Sequence, residues 1–254
     1  MFDGFIGSRL KIKRAYKHVS EIASLLQSLS ETNFYDLTVE KDANSGENFL
    51  RANIKEGIPA DEYAPILGDA LHNLRSALDF IYYETVFLCG GTPTKWTRFP
   101  IRDTREELVS HLDSALKAKQ ISILVRSLVL DVVKPYKTGN IALWTLDDWN
   151  ITDKHELLVP VFKLVIVNQV GFEDEQHRAL AGLRDQFFFG ESGVALLEGA
   201  TGMNINVKHK GHAAIDILIA RDILKKIQPV VPTLRGFAEE VTKVVNVFVE
   251  ALGL

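Results

Sequence analysis

The chain reads as an α+β protein with a helical core. Three observations predict this: helical spacing over roughly 8–30, 62–89 and 232–252, two-residue alternation near 35–39 and 50–54, and a β-branched apolar run from Leu157 to Val170. The architecture expected is a long central helix at about 62–89, an N-terminal β-hairpin, a C-terminal antiparallel sheet and a final helix. No regular alternation of strand, helix and strand occurs, which argues against a doubly wound sheet.

The first helix follows from Ile12, Ala15, Val19, Ile22, Leu25, Leu26 and Leu29. The period then changes to two: Tyr35, Leu37 and Val39 alternate, as do Leu50, Ala52 and Ile54, with the polar "KDANSGEN" between them as the hairpin loop. Pro59 ends the hairpin, and Asp61 and Glu62 stand where acids favour a helix N-terminus. The long helix that follows is stopped by Gly90-Gly91. A loop with Pro93, Trp96, Phe99 and Pro100 leads to a short helix near 104–118, where Thr104 and Glu107 form a capping box.

"QISILVRSLVLDVV" at 120–133 is apolar nearly all round and predicts a buried helix, broken by "KPY" and Gly139. Another helix runs from Ile141 to about Ile151. Strands are expected at 157–170, 186–198, 203–210 and 213–221, with "EGATG" and "KHKGH" as turns, before Pro229 and Pro232 introduce the last helix. The simplest organisation is a single domain over 1–254, with a motif-bearing helical core (about 60–156), a β-rich part (about 157–222) and the terminal helix.

Composition bounds the function. With 46% hydrophobic and 24% charged residues over 254 positions, wholesale disorder is excluded. A net charge of −4 gives no global attraction for nucleic acid, so any phosphate contact must come from a local basic patch. One cysteine, Cys89, excludes an intramolecular disulfide framework and fits a reducing compartment. Neither a secretion signal nor an apolar run of about 18 residues is found, so a cytoplasmic protein without a membrane partner is expected.

The polar content of the long helix is its most informative feature. In "GDALHNLRSALDF" the apolar stripe runs through Leu67, Leu71, Leu74, Leu78 and Ile81, while Asp69, His72, Ser76 and Asp79 lie opposite, with Arg75 on the shoulder. A plain surface helix would continue that polar stripe; here it gives way to Tyr83 and Phe87. The cluster therefore reads either as the floor of a pocket or as a structural ion-pair network, since buried charges must be paired. A second cluster, Asp153, Lys154 and His155, is placed between a Trp-rich helix and the strand from Leu157, where His155 could act as a base oriented by Asp153.

"HNLRSALDF", then "KPY", then "LWTLDDWNITDKHELL" resembles, over roughly residues 60–160, a family of bacterial and phage-associated proteins with no assigned reaction. The first motif is also similar to the signature of HEPN-type ribonucleases, an Arg followed by a His in a helical domain. That resemblance implies an RNA or nucleotide partner, a homo-oligomer, and a phosphate-steadying role for Arg75. The position matching the catalytic His is Phe80, which cannot exchange a proton. The candidate catalytic set is thus His72, Arg75, Asp79, Asp153 and His155, with Asp69, Asn73 and Lys154 as candidate ligand-binding residues. The two clusters are expected to meet, with Arg75 pairing Asp79 or Asp153.

Other chemistries find less support. Asp69 and His72 have the carboxylate-x-x-His spacing of di-iron bundles, but no second such pair lies on another predicted helix. No glycine-rich phosphate loop follows a strand, "GESG" at 190–193 is not a nucleophile elbow, and no cofactor or metal is expected. "VKHKGH" at 207–212 reads as a solvated hairpin turn and "FFF" at 187–189 as a core strand.

Overall fold

A computed structural model describes residues 5–254 except 33, 55–59, 157–160, 169, 177, 181–185, 190–191, 198–200, 211 and 220–227. In chain order the elements are α1 (Ile6–Ser30), β1 (Tyr35–Lys41), β2 (Asn48–Ile54), α2 (Ala60–Leu88), α3 (Arg105–Lys117), α4 (Ile123–Ser127), a π-helical turn (Leu128–Val133), and α5 (Ile141–Glu156). They continue as β3 (Val161–Asn168), β4 (Gly171–Asp174), β5 (Ala179–Leu180), β6 (Gln186–Phe189), β7 (Ser192–Leu196), β8 (Ile205–His209), β9 (His212–Ile219), β10 (Gln228–Pro229) and α6 (Val230–Ala251). The fold is α+β, with the long central helix, the N-terminal hairpin, antiparallel C-terminal pairing and a final helix.

The chain divides into two compact units: residues 1–22, 62–159 and 231–254 form a helical unit, and 23–61 with 160–230 form a strand-rich one. In the helical unit α2 is the axis. Leu67, Ala70, Leu71, Leu74, Ala77, Leu78 and Ile81 are buried along its length, the face that their spacing predicts. The N-terminal part of α1 runs antiparallel to it: Phe5 N donates to Glu84 Oε2 at 3.0 Å and Ser8 Oγ to the Ala77 carbonyl at 3.0 Å. Gly90 at φ +78° follows α2 in the left-handed conformation. Gly91 N then bonds the Val86 carbonyl and Gly90 N the Phe87 carbonyl, a Schellman termination that satisfies two end carbonyls.

Helix α3 starts as the capping box predicts, with a shift on one side. Thr104 Oγ1 accepts from Glu107 N at 3.2 Å, but Glu107 Oε2 accepts from Asp103 N rather than from Thr104. Asn140 caps α5 by accepting from Leu143 N, and its amide donates to Glu240 Oε1 of α6 at 2.7 Å. Trp149 of α5 meets Phe237 of α6 edge-on at 5.3 Å. Trp144 Nε1 donates to Asp103 Oδ1 at 2.8 Å, tying α5 to the start of α3.

Among the described residues the strand-rich unit contains three antiparallel sheets, ordered β1-β2-β7, β10-β9-β3-β6 and β5-β4-β8. The hairpin turn is organised by Asp42, whose Oδ1 accepts from the backbones of Asn44 and Ser45, and those bonds hold its carboxyl below the usual range.

Several expectations are corrected. The stretch 120–133 is a short α-helix followed by a π-helical turn, and it is not sealed: Ile123, Leu124 and Val132 are exposed while Val125, Val129 and Val133 are buried. The stretch 186–198 is two strands that pair in different sheets. β8 and β9 also pair in different sheets, so "KHKGH" links two sheets and is no hairpin turn. Helix α5 continues five residues past Ile151, and the first strand residue after it is Val161, residues 157–160 lying outside the described residues.

The Schellman turn gives a stability prediction. A Cβ on Gly91 would stand 2.3 Å from the backbone carbonyl oxygen of Gln120, whereas one on Gly90 meets nothing within 4 Å. Gly91→Ala is expected to cost roughly 1–3 kcal/mol or more by overpacking, and Gly90→Ala about 1 kcal/mol through its left-handed backbone. Urea midpoints compare the two. An unchanged midpoint for Gly91→Ala would contradict the close approach.

Candidate functional site

The polar groups of α2 separate onto different surfaces of the helix. Arg75 is 9% exposed. Its Nε donates to Asp147 Oδ1 of α5 at 2.5 Å, its Nη1 to Asp79 Oδ1 at 2.5 Å, and its Nη2 to the Phe99 carbonyl at 2.8 Å. Asp79 Oδ1 also accepts from Phe99 N at 2.8 Å. Arg75 and Asp79 together therefore satisfy both backbone groups of one buried residue. Phe99 is 1% exposed, and its ring meets Tyr82 and Phe248 edge-on at 5.7 and 6.3 Å. A peptide in a loop segment has no helical partner of its own, so burying it requires side-chain partners of this kind.

His72 faces elsewhere. It lines a cavity of about 290 Å³ with Pro65, Gly68, Asp69, Asn150, Asp153 and Lys154. Helices α2 and α5 approach closely at this point: a Cβ on Gly68 would lie 2.4 Å from Asp153 Oδ2. Only a glycine leaves room for that carboxylate. Burial and the negative charge of Asp69 raise the Asp153 pKa above the ordinary carboxylate value, opposed by His72 and Lys154. Ser76 Oγ is 3.5 Å from His72 Nε2, at the limit of a hydrogen bond.

The expected meeting of the two motifs thus takes a different form. Asp153 and Lys154 join Asp69 and His72 around one cavity, and among the described residues no hydrogen bond links the pairs directly. Of the two expected partners Arg75 takes Asp79 and not Asp153, and its second carboxylate is Asp147, six residues before Asp153 on α5. The DKH motif is not an entry into a strand, because Asp153, Lys154 and His155 all belong to α5. The side chain of His155 lies outside the described residues. Asn73, expected to bind ligand, is buried and donates its amide to the Asp69 carbonyl at 2.7 Å within its own helix. Among the described residues no three His, Cys, Asp or Glu side chains converge as metal ligands, and no helix is long and apolar enough to cross a membrane.

Phe80 is 44% exposed, and its ring rests against α1, 3.0 Å from where a Cβ on Gly7 would stand. Tyr83 and Phe87 continue the row, and both are exposed. They are open to solvent, where their place on the polar stripe suggests the border of a partly buried pocket. α1, against which Phe80 rests, exposes Ile6 and Leu10 and also Arg9, Lys13, Arg14 and Lys17, and none of these cations has an ion-pair partner among the described residues. The sequence signal for this surface is five cations within Arg9–Lys17, a local basic patch of the kind that the net charge requires of a phosphate binder. Compared with known protein families, curated proteins and solved structures, the chain matches none.

Two measurements probe the two surfaces. Arg75→Ala is expected to destabilise by roughly 3–5 kcal/mol, since it strands two carboxylates and a buried carbonyl, and Asp147→Asn by about 1–2 kcal/mol. Losses under about 0.5 kcal/mol for both would mark the pair as solvated. For Asp153 the sign follows from its raised pKa. The stability tied to its neutral form is present below the ordinary carboxylate range and is lost as pH rises through the folded value. Asp153→Asn should therefore stabilise at neutral pH by less than about 1 kcal/mol, and the gain should vanish below about pH 4. A gain that grew on acidification would refute this.

Proposed function

We propose that this chain is a cytoplasmic, HEPN-like protein that binds single-stranded RNA and does not cleave it by the Arg-His mechanism. The observation that carries the reading is Phe80. Where a HEPN ribonuclease has a proton-transferring histidine, this chain has a half-exposed ring in line with Tyr83 and Phe87, resting against α1, whose exposed cations are unpaired among the described residues. Exposed aromatic faces stack on bases without regard to sequence, and flanking lysines and arginines neutralise phosphates. The Arg75 guanidinium is meanwhile committed to Asp79, Asp147 and Phe99, which supports a structural role for it.

The competing use of the same face is contact with a second copy of the chain, consistent with the homo-oligomer that the HEPN resemblance implies. Exposed Phe80, Tyr83, Phe87, Ile6 and Leu10 are the observation in its favour. Fluorescence anisotropy with labelled single-stranded RNA separates the two. Binding is expected to weaken with salt and to fall at least about tenfold in the double charge reversal Lys13→Glu with Arg14→Glu, and several-fold in Phe80→Ala. The RNA should remain uncut with and without EDTA. Cleavage that is lost in Arg75→Ala but survives EDTA would overturn the non-cleaving reading. Absence of RNA binding together with a dimer in light scattering, broken by Phe80→Ala, would replace it with self-association.

A further inference from the structure

Beside the Phe99 clamp lies a larger cavity, of about 510 Å³, lined by Arg75 and by the loop from Thr94 to Arg102. Its charged lining is Arg75, Arg98 and Arg102 against the one carboxylate Asp147, with His111, Thr94, Thr97 and Gln120 as further polar groups. That carboxylate is paired with Arg75, which also pairs Asp79, so these three groups together offer an anion no positive charge. The surplus positive charge therefore rests on Arg98 and Arg102. Arg98 is exposed and has no hydrogen-bond or ion-pair partner among the described residues.

Arg102 is held in place. Its N–H donates to the Pro135 carbonyl at 3.1 Å and its residue forms a parallel bridge with Tyr136. Its Nη1 donates to the Ile101 carbonyl at 2.7 Å, and its Nη2 lies 2.9 Å from His111 Nδ1. A guanidinium only donates, so Nδ1 of His111 is the acceptor and the imidazole proton sits on Nε2. Burial and the Arg102 charge both lower the His111 pKa, consistent with a neutral ring. A neutral N–H donor, an anchored guanidinium with unused N–H groups, and a free arginine are three complements to one anion.

The remaining wall is apolar and aromatic. Tyr82, Phe99 and Ile121 are buried, and Trp96, at the rim, is 72% exposed with Lys95 Nζ 5.1 Å from its ring. An indole left so exposed beside a cationic cavity offers a stacking surface for a flat ring. The volume falls within the range of small-molecule sites and far exceeds what a bare phosphate fills.

We infer that this cavity binds a phosphate monoester carrying an aromatic ring, a mononucleotide in chemical class, with the phosphate between Arg98, Arg102 and His111 and the ring against Trp96. The site uses none of the α1 cations or the Phe80 row, so it stands independently of RNA binding there.

Isothermal titration with adenosine monophosphate, uridine monophosphate, adenosine and inorganic phosphate tests the inference. The two monophosphates are expected to bind, adenosine at least about tenfold more weakly, and inorganic phosphate weakly but in competition with them. Arg98→Ala, a change at an unpaired exposed side chain, should weaken the monophosphates by about tenfold or more, and Trp96→Ala several-fold, with unchanged thermal unfolding in both. Arg98→Lys should recover part of the loss, since a single donor replaces a planar fork. Failure of both monophosphates to bind at millimolar concentration, or equal binding by wild type and Arg98→Ala, overturns the assignment. Mononucleotide binding intact in Lys13→Glu with Arg14→Glu is expected; its loss there would place the site on α1 and overturn the cavity instead.

Discussion

Both backbone groups of Phe99 are buried in the helical unit and bonded to side chains of α2, and much of that unit is arranged around this contact. The segment from Pro93 to Arg102 is a loop with one turn at Lys95–Trp96, so Phe99 has no helical ladder to receive its N–H and C=O groups. Asp79 accepts the N–H of Phe99 and Arg75 donates to its carbonyl. Arg75 in turn needs a second carboxylate to balance its burial, and Asp147 of α5 supplies it. The Phe99 ring then reaches Tyr82 of α2 and Phe248 of α6. One loop residue thereby joins two helices by its ring and a third through the charges that hold its backbone.

This contact accounts for polar groups in a helix whose apolar stripe is buried. Arg75 and Asp79 form a built-in adaptor for a segment that could not otherwise be dehydrated, rather than a solvated face. A charge-assisted contact of this kind is also directional: it places Arg102 and Trp96, three residues to either side of Phe99, at the cavity with α3. Packing alone fixes such positions less sharply, because apolar contact has no preferred angle.

The surfaces of α2 consequently carry different chemistry. Arg75 and Asp79 point toward α5 and Phe99; Asp69 and His72 point into the small cavity that Asp153 enters over Gly68; Phe80, Tyr83 and Phe87 face solvent beside α1. Residues three or four apart on a helix share a side only approximately, and a tilt of some tens of degrees sends His72 and Arg75 to different cavities. A linear motif that groups His72, Arg75 and Asp79 joins residues with different partners.

What the sequence by itself determined is local. The apolar stripe of α2, the Thr104 cap, the Gly90-Gly91 stop, the β1–β2 hairpin and the α+β class all rest on interactions within a few residues of one another, and periodicity or turn chemistry records these directly. The end of α5 was not legible, because Thr152 and Asp153 are common in turns; in the structure Thr152 is buried and its hydroxyl bonds the Asp148 carbonyl one turn back. Tertiary structure decided the rest. Asp147 and Asp153 of α5 are chemically equivalent partners for Arg75, and only the face that α5 presents to α2 selects Asp147, seventy-two residues away, to join Asp79. The cationic cavity likewise takes Arg75 from α2, Arg98 and Arg102 from a loop and His111 from α3, with no spacing in the chain that could announce it. Charge attraction is blind to sequence distance, so which groups share a site is set by how the helices dock.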